Sequence, residues 1–98
     1  MLCPTCDTIQ TIVIRTPDEL RVAGAYCRRL VNEGRLTPTE DPERHADAWA
    51  PAWDEFREQG PWEDIVRYFF ACPACGQHYR MHCDTYHGSG GRFSRYEP

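Results

Sequence analysis

The chain has 98 residues, of which 41% are hydrophobic and 27% are charged, and its formal net charge is −4. These values are typical of one small soluble domain, which buries a modest fraction of its surface and often needs a disulfide or a metal for stability. They also exclude a membrane span, because no apolar run approaches the ~20 residues that one requires. We therefore expect a single domain over residues 1–98.

The six cysteines indicate a metal rather than disulfides. The first ten residues, MLCPTCDTIQ, lack the basic region and the apolar core of a secretory signal, so a cytoplasmic location is expected. Thiols stay reduced in that compartment, and clustered cysteines there usually bind metal ions.

The first part of the chain predicts one strand and one long helix. Residues 9–15 are rich in β-branched side chains, which predicts a strand. Thr16 then follows as a candidate helix N-cap, with Pro17 in the first turn and Glu19 completing a capping box. Apolar residues recur at helical spacing up to a glycine, so a helix is expected over residues 17–33.

The rest of the chain predicts a loop, a short helix and a hairpin. Residues 35–45 are polar and contain two prolines, which predicts a surface loop. A second helix is expected from residue 46 or 51 to residue 59. Residues 62–71 and 76–86 predict two antiparallel strands. The expected fold is α+β: an antiparallel sheet of three or more strands, one main helix, and a zinc ribbon that joins the chain ends.

Two CPxC motifs are the strongest signal in the sequence. A C-x-x-C turn directs two thiolates toward one point, and two such turns together make a closed tetrahedral site for Zn²⁺. Closing the long intervening loop costs roughly 4 kcal/mol of chain entropy, whereas structural zinc contributes about 10–16 kcal/mol in small peptides. The predicted ligands of one structural zinc ion are Cys3, Cys6, Cys72 and Cys75.

Other thiols and imidazoles are alternative ligands. His78 and His82 would share one face of a strand and Cys83 would take the other, so the three do not easily converge; His87 is the remaining candidate. Cys27 lies on the apolar stripe of the predicted helix and is expected to be a buried free thiol. A redox dithiol should open a helix after a strand, and neither CPxC motif is placed that way.

Catalysis is weakly supported. The glycine-rich segment DTYHGSGGRF can be interpreted as an anion-binding loop or as a tight turn, and it lacks the lysine of a phosphate-binding loop. His87 and Asp84 are a possible acid–base pair, but no nucleophile accompanies them. Four thiolates would also leave a bound metal no open position for a substrate. We expect a non-catalytic protein.

Residues 40–64 concentrate acidic and aromatic side chains. An acidic surface attracts basic proteins and repels phosphates, so a protein partner with a basic surface is expected and nucleic acid is not. A solubilising face and a core stripe of aromatic rings remain alternatives. The candidate partner-binding residues are Asp47, Trp49, Trp53, Asp54, Glu55, Trp62, Glu63 and Asp64.

The segment GPWEDIVRYFFACPACGQHYRMHCDTYHGSGGRF resembles a group of small uncharacterised bacterial proteins, in which an aromatic-rich strand leads into C-x-x-C-G-Q and the chain closes on T-Y-H-G-S-G-G. The earlier segment IVIRTPDELRVAGAYCRRLVNEGRL is similar to their first strand and helix. This resemblance implies a link with toxin–immunity loci, and hence an immunity protein that neutralises a toxin domain. The second hypothesis is a zinc-ribbon module acting on nucleic acid or its machinery, which a face rich in Arg28, Arg29, Arg80, Arg92 and Arg95 would favour.

Overall fold

The computed structural model describes residues 3–40, 53, 56–62 and 64–97. Its elements, in chain order, are α1 Pro4–Asp7, β1 Ile12–Ile14, α2 Pro17–Asn32, β2 Thr37–Thr39, β3 Ile65–Ala71, β4 His78–Asp84 and β5 Gly90–Tyr96. The predicted α+β fold is confirmed. In the described part of the chain, no helix is long and apolar enough to cross a membrane.

The strands form one antiparallel sheet in the order β1-β5-β4-β3-β2. β3, β4 and β5 follow one another in the chain and make up its centre. β1 and β2 are the two edges, and α2 connects them by crossing one face of the sheet. The face that α2 covers therefore becomes the core, and the opposite face, here called the open face, carries the alternate residues of each strand.

Local sequence signals explain where α2 begins. The Thr16 hydroxyl accepts a hydrogen bond from the Glu19 backbone N–H at 3.1 Å, and the Glu19 carboxylate accepts one from the Arg15 N–H at 2.9 Å. The first bond satisfies a donor that the first turn of a helix leaves unpaired, and the second fixes Arg15, the residue before the N-cap, against that turn. The buried residues of the helix are Leu20, Ala23, Gly24, Cys27 and Leu30, so its apolar stripe faces the sheet.

Removing this cap gives a first prediction. Thr16→Ala is expected to lower the free energy of unfolding by about 1 kcal/mol, because the Glu19 N–H loses its acceptor. Urea denaturation followed by far-UV circular dichroism measures the change. Thr11→Ala, at an exposed position outside any element, serves as the control. Equal effects of the two substitutions would contradict the capping role.

The core lies between α2 and one face of the sheet. Its strand residues include Val66, Tyr68, Phe70, Tyr79, Met81, Cys83 and Phe93, all buried. Cys27 packs among them with its Sγ 4.0 Å from Met81 Sδ, so its prediction as a buried free thiol is confirmed. Trp53 and Phe56 stack on each other, with ring centroids 5.1 Å apart, and belong to the same core.

Several elements differ from the sequence prediction, and one of them is β5, which begins within the glycine-rich segment that the sequence predicts to be a loop or a tight turn. The predicted loop after α2 contains β2, which pairs with β3; Pro38 is tolerated there because an edge strand leaves some N–H positions unpaired. β1 covers only three of the predicted seven residues. Of the predicted second helix, residues 58 and 59 form a turn before Gly60, which has φ 76°, and residues 46–52, 54 and 55 lie outside the described residues.

Candidate metal centre

The second CPxC motif occupies the turn between β3 and β4. The Cys72 N–H donates to the Gln77 carbonyl at 2.9 Å, and the Gly76 N–H donates to the Cys72 carbonyl at 2.8 Å. Gly76 has φ 79°, a conformation that glycine adopts without steric cost. The turn thus directs Cys72 and Cys75 to the same side of the hairpin, as the sequence predicts.

The first CPxC motif forms the short helix α1. Cys3 is its N-cap, and its Sγ accepts a hydrogen bond from the Cys6 backbone N–H at 3.5 Å. The Asp7 N–H donates to the Cys3 carbonyl at 2.9 Å, which closes the turn. A proline follows Cys3 and suits the first helical position, so the motif itself favours this turn.

The two motifs meet, and their four sulfur atoms lie within 4.8 Å of one another. Cys3 Sγ is 3.7 Å from Cys72 Sγ, and Cys6 Sγ is 3.5 Å from Cys75 Sγ. A tetrahedral zinc site with Zn–S bonds of about 2.3 Å places its sulfur atoms about 3.8 Å apart. The cluster is therefore compatible with a zinc ion, and it joins the start of the chain to the β3–β4 hairpin.

The electrostatics of the cluster also suit a cation. The Cys6 backbone N–H is the main cause that lowers the pKa of Cys3 to about 7. Burial raises the pKa of Cys6 to about 12, because a thiolate without a counter-charge is disfavoured there. A bound divalent ion supplies that charge, which is why metal binding and thiol deprotonation occur together.

Tyr79 is a neighbour of the cluster that the sequence does not reveal. Its side chain is buried beside Cys6, and burial raises the pKa of its phenol. Its hydroxyl has no partner of standard hydrogen-bond geometry among the described residues, yet its interaction with Cys6 lowers the pKa of that thiol. A donor in this position stabilises a metal-bound thiolate, as outer-shell donors do in other metal sites.

The alternative ligands lie elsewhere in the molecule. His78 and His82 are on the open face, and Cys83 is buried in the core under α2. His87 is held by Asp84, with its Nδ1 3.0 Å from the carboxylate Oδ2. Among the described residues, the four predicted cysteines are the only group of three or more side chains close enough to share a metal ion.

The glycine-rich segment forms the turn between β4 and β5. The Asp84 carboxylate accepts hydrogen bonds from the His87 N–H at 2.9 Å and from the Ser89 hydroxyl at 3.1 Å. The backbone N–H of His87 is also the first cause that lowers the pKa of Asp84. Because a carboxylate already uses these donors, the structure favours the tight-turn interpretation over an anion-binding loop.

Only part of the predicted partner-binding set is described. Asp47, Trp49, Asp54, Glu55 and Glu63 lie outside the described residues. Trp53 is 7% exposed and packs in the core, where the alternative interpretation of the aromatic stripe placed it.

Two residues of the set reach the surface. Trp62 is half-buried, and its Nε1 donates to the Arg57 carbonyl at 3.0 Å. The Arg21 guanidinium lies 5.9 Å from the centroid of the same ring. Asp64 is exposed.

The arginines that would favour nucleic acid separate into two groups. Arg80 and Arg92 lie on the open face. Arg28 is on α2, where it pairs with Glu58 at 3.0 Å and lies 4.8 Å from the Trp53 ring centroid; Arg29 is also on α2. Arg95 alternates with Arg92 along β5 and points to the other side of the sheet.

Comparisons of the chain with protein-family models, with curated proteins and with solved structures found no match. The resemblance to small bacterial proteins of toxin–immunity loci therefore stays a prediction from the sequence. The site remains defined by the geometry of its own residues.

Proposed function

We propose that this chain is a non-catalytic, zinc-stabilised protein that binds another protein, in its most concrete form a cytoplasmic immunity protein that neutralises a cognate bacterial toxin. The metal has a structural role in this proposal, because four thiolates complete a tetrahedral shell and leave no position for a water or a substrate. The partner-binding role is supported by a surface at one end of the sheet.

This surface, called the end patch, consists of Trp62, Asp64, Ile65 and Tyr86. Ile65 is 51% exposed and Tyr86 is 70% exposed. The Asp64 carbonyl accepts hydrogen bonds from the Thr85 N–H at 2.8 Å and from the Tyr86 N–H at 3.2 Å, which holds the two segments together. Large apolar and aromatic side chains exposed near one another mark candidate protein-binding sites, and the exposure of Ile65 and Tyr86 at one end of the sheet carries the proposal.

A groove adjoins the end patch and can hold an anchoring side chain. It has a volume of about 200 Å³ and lies between the first turn of α2 and the β4–β5 turn. Leu20, Trp62 and Cys83 give it a largely apolar lining. Pockets of this kind accept the aliphatic or aromatic residues that contribute most of the binding energy of protein complexes.

The charge of the neighbouring segment supports a basic partner. Residues 40–64 contain nine of the 15 acidic residues of the chain. Complementary charge raises the rate at which two proteins associate, whereas buried anchors mainly slow their dissociation. In this proposal the acidic side chains raise the rate at which the partner associates, and the end patch slows its dissociation.

The test begins with affinity capture from the native host, followed by binding kinetics with the identified partner. Tyr86→Ala is expected to raise the dissociation rate about tenfold, because an exposed aromatic anchor is lost. The double change Asp54→Lys and Glu55→Lys is expected to slow association and to weaken its dependence on salt.

Val22→Ala is the matched control for Tyr86→Ala, since Val22 is 60% exposed on α2 and outside the end patch. Its kinetics should equal those of the unmodified chain. Recovery of nucleic acid instead of a protein, together with unchanged binding of the charge-reversed variant, would contradict the protein-binding function and the immunity role.

A further inference from the structure

The open face of the sheet gathers positive charge that the sequence scatters over three segments. In β4 the buried residues alternate with half-buried ones, so the half-buried set lies on the open face. The register extends this face to the neighbouring strands, where its residues are Ile65, Arg67, Phe69, Ala71, His78, Arg80, His82, Asp84, Arg92, Ser94 and Tyr96. Asp84 is the one carboxylate in this set, and it is engaged by His87 and Ser89 at the end of the strand.

Three of these residues form a row across the sheet. Arg67 lies opposite His82, and His82 lies opposite Arg92. Adjacent strands are about 4.8 Å apart, so the two guanidinium-bearing positions of the row are separated by about 10 Å. Arg80 adds a third arginine on the same face, two residues from His82 along β4. The proposal below relies on Arg80 and Arg92.

The positive potential at this row is visible in the histidine at its centre. Burial is the first cause that lowers the pKa of His82, and the charges of Arg80, Arg92 and Arg67 lower it further. Protonation of the His82 imidazole, which would add another positive charge to the row, is therefore disfavoured. An anionic ligand on this face would meet the charges of Arg80 and Arg92, and Asp84, at one end, is the one carboxylate among the strand residues of the face.

Planar rings lie among these arginines. The Arg80 guanidinium is 5.6 Å from the centroid of the Tyr96 ring. The Tyr96 ring centroid is 5.7 Å from that of His78 and 5.4 Å from that of Phe69. Phe69 is buried beneath the Tyr96 ring, whereas Tyr96 and His78 are half-buried. Part-exposed rings beside arginines on a flat sheet are the combination by which single strands are bound.

The acidic net charge does not oppose such binding. Charges separated by more than about 8 Å are largely screened at physiological ionic strength, so the local charge of a face matters more than the total. Nine of the 15 acidic residues belong to the segment 40–64, which precedes β3 in the chain, and Asp84 is the one acidic residue in the set that forms the open face. In addition, Arg80 Nε has no hydrogen-bond partner in the described part of the chain, and guanidinium groups are well suited to phosphate because they donate several charge-assisted hydrogen bonds.

We propose that the open face binds single-stranded nucleic acid, with Arg80 and Arg92 contacting phosphates and with bases stacking on Tyr96 and His78. A single strand is favoured over a duplex because a five-stranded sheet is wider than the two-stranded ribbon that the major groove admits, and because only unpaired bases expose their faces to aromatic rings. A single strand is favoured over an acidic protein because the rings alternate with the arginines. The four residues that carry this activity, Arg80, Arg92, His78 and Tyr96, are not part of the end patch, so the proposal does not rest on the protein-binding function.

Fluorescence anisotropy of the full, zinc-loaded chain with a labelled single-stranded oligonucleotide of about 12 nucleotides tests the proposal. The titration starts near 50 mM salt and is repeated at rising salt concentration. Arg92→Glu is expected to weaken binding at least about tenfold and to make the slope of log K against log salt shallower by about 0.7, the value for one phosphate contact on a single strand. Arg92 is exposed, so the substitution should leave the fold intact.

Arg29→Glu is the matched control, because it makes the same charge change at an exposed position on α2, on the other side of the sheet. It should change the affinity by less than about twofold. Tyr96→Leu is expected to weaken binding about tenfold with an unchanged salt slope, since it removes stacking and no charge. Zinc content and unfolding curves are measured for every variant, and His78→Ala replaces Tyr96→Leu if the latter does not fold.

Four results would overturn the proposal. These are no saturable binding of the single strand, equal effects of Arg92→Glu and Arg29→Glu, equally tight binding of a duplex of the same length, and equal competition by polyglutamate. The last of these would assign the open face to an acidic polypeptide instead.

Discussion

Cys72→Ser is expected to reduce the zinc content from one ion per chain to well below one and to lower the free energy of unfolding by several kcal/mol. Cys72 is buried, and its Sγ lies 3.7 Å from Cys3 Sγ, so the substitution removes one of the four thiolates of the predicted zinc site. Structural zinc contributes about 10–16 kcal/mol in small peptides. The loss here should be smaller, because the sheet itself brings the two motifs together.

Elemental analysis and thermal unfolding with and without a chelator measure both effects. Cys27→Ala is the matched control: Cys27 is also a buried cysteine, but it lies in the core away from the cluster. Zinc should remain in this variant, even though its core is less well packed. Full zinc content in Cys72→Ser, or a melting temperature that chelation does not change after metal loss is confirmed, would contradict a structural zinc site. A stoichiometric iron signal would change the metal but not the ligand set.

The turns of the two cysteine motifs and the main helix are predictable because their signals are local. Each CPxC motif shapes its own turn, through Pro4 at the start of α1 and through the positive φ of Gly76 after the second motif. The start of α2 is likewise encoded within four residues by Thr16 and Glu19. These turns and this helix cap depend on neighbours in the sequence, whereas the meeting of the two motifs, whose paired cysteines are 69 residues apart, depends on the sheet.

The last strand is not predictable in the same way. β5 begins with two glycines and carries Phe93 as its one fully buried residue, so its sequence resembles a loop. Its pairing depends on the close approach of β4. A Cβ atom on Gly91 would lie 1.8 Å from the His82 carbonyl oxygen, so this position requires glycine. That requirement arises only when β5 pairs with β4, and the register of this pairing cannot be read from the sequence.

The basic row on the open face has the same origin. Arg67, His82 and Arg92 are far apart in the sequence, and only the register of three strands aligns them. The sequence prediction against nucleic acid relied on the total charge of the chain, which cannot show where the charge is concentrated. Of the five arginines that would favour nucleic acid, the fold places Arg80 and Arg92 on the same face of the sheet. A further arginine of that face, Arg67, was not among the five.

Trp53→Ala is expected to lower the free energy of unfolding by about 3–5 kcal/mol, the range for removal of a large aromatic side chain from a core. The Trp53 ring is edge-on to Tyr68 and Phe70, with centroid distances of 5.2 Å and 5.0 Å, and Arg28 covers it at 4.8 Å. Truncation would leave a cavity among rings that cannot all move to fill it. Urea denaturation measures the loss.

Two further substitutions separate a core role from a partner-binding role. Trp53→Phe should cost less, about 1–2 kcal/mol, because it keeps most of the ring packing and removes an indole N–H that is buried without a hydrogen-bond partner among the described residues. Trp62→Ala, at a half-buried ring of the end patch, should destabilise the free chain by about 1 kcal/mol and chiefly speed dissociation of the protein partner. If Trp53→Ala left the stability unchanged and sped dissociation instead, the indole would be an interface anchor. Because Trp53 is only 7% exposed, we expect Trp53→Ala to reduce partner binding only by lowering the fraction of folded protein.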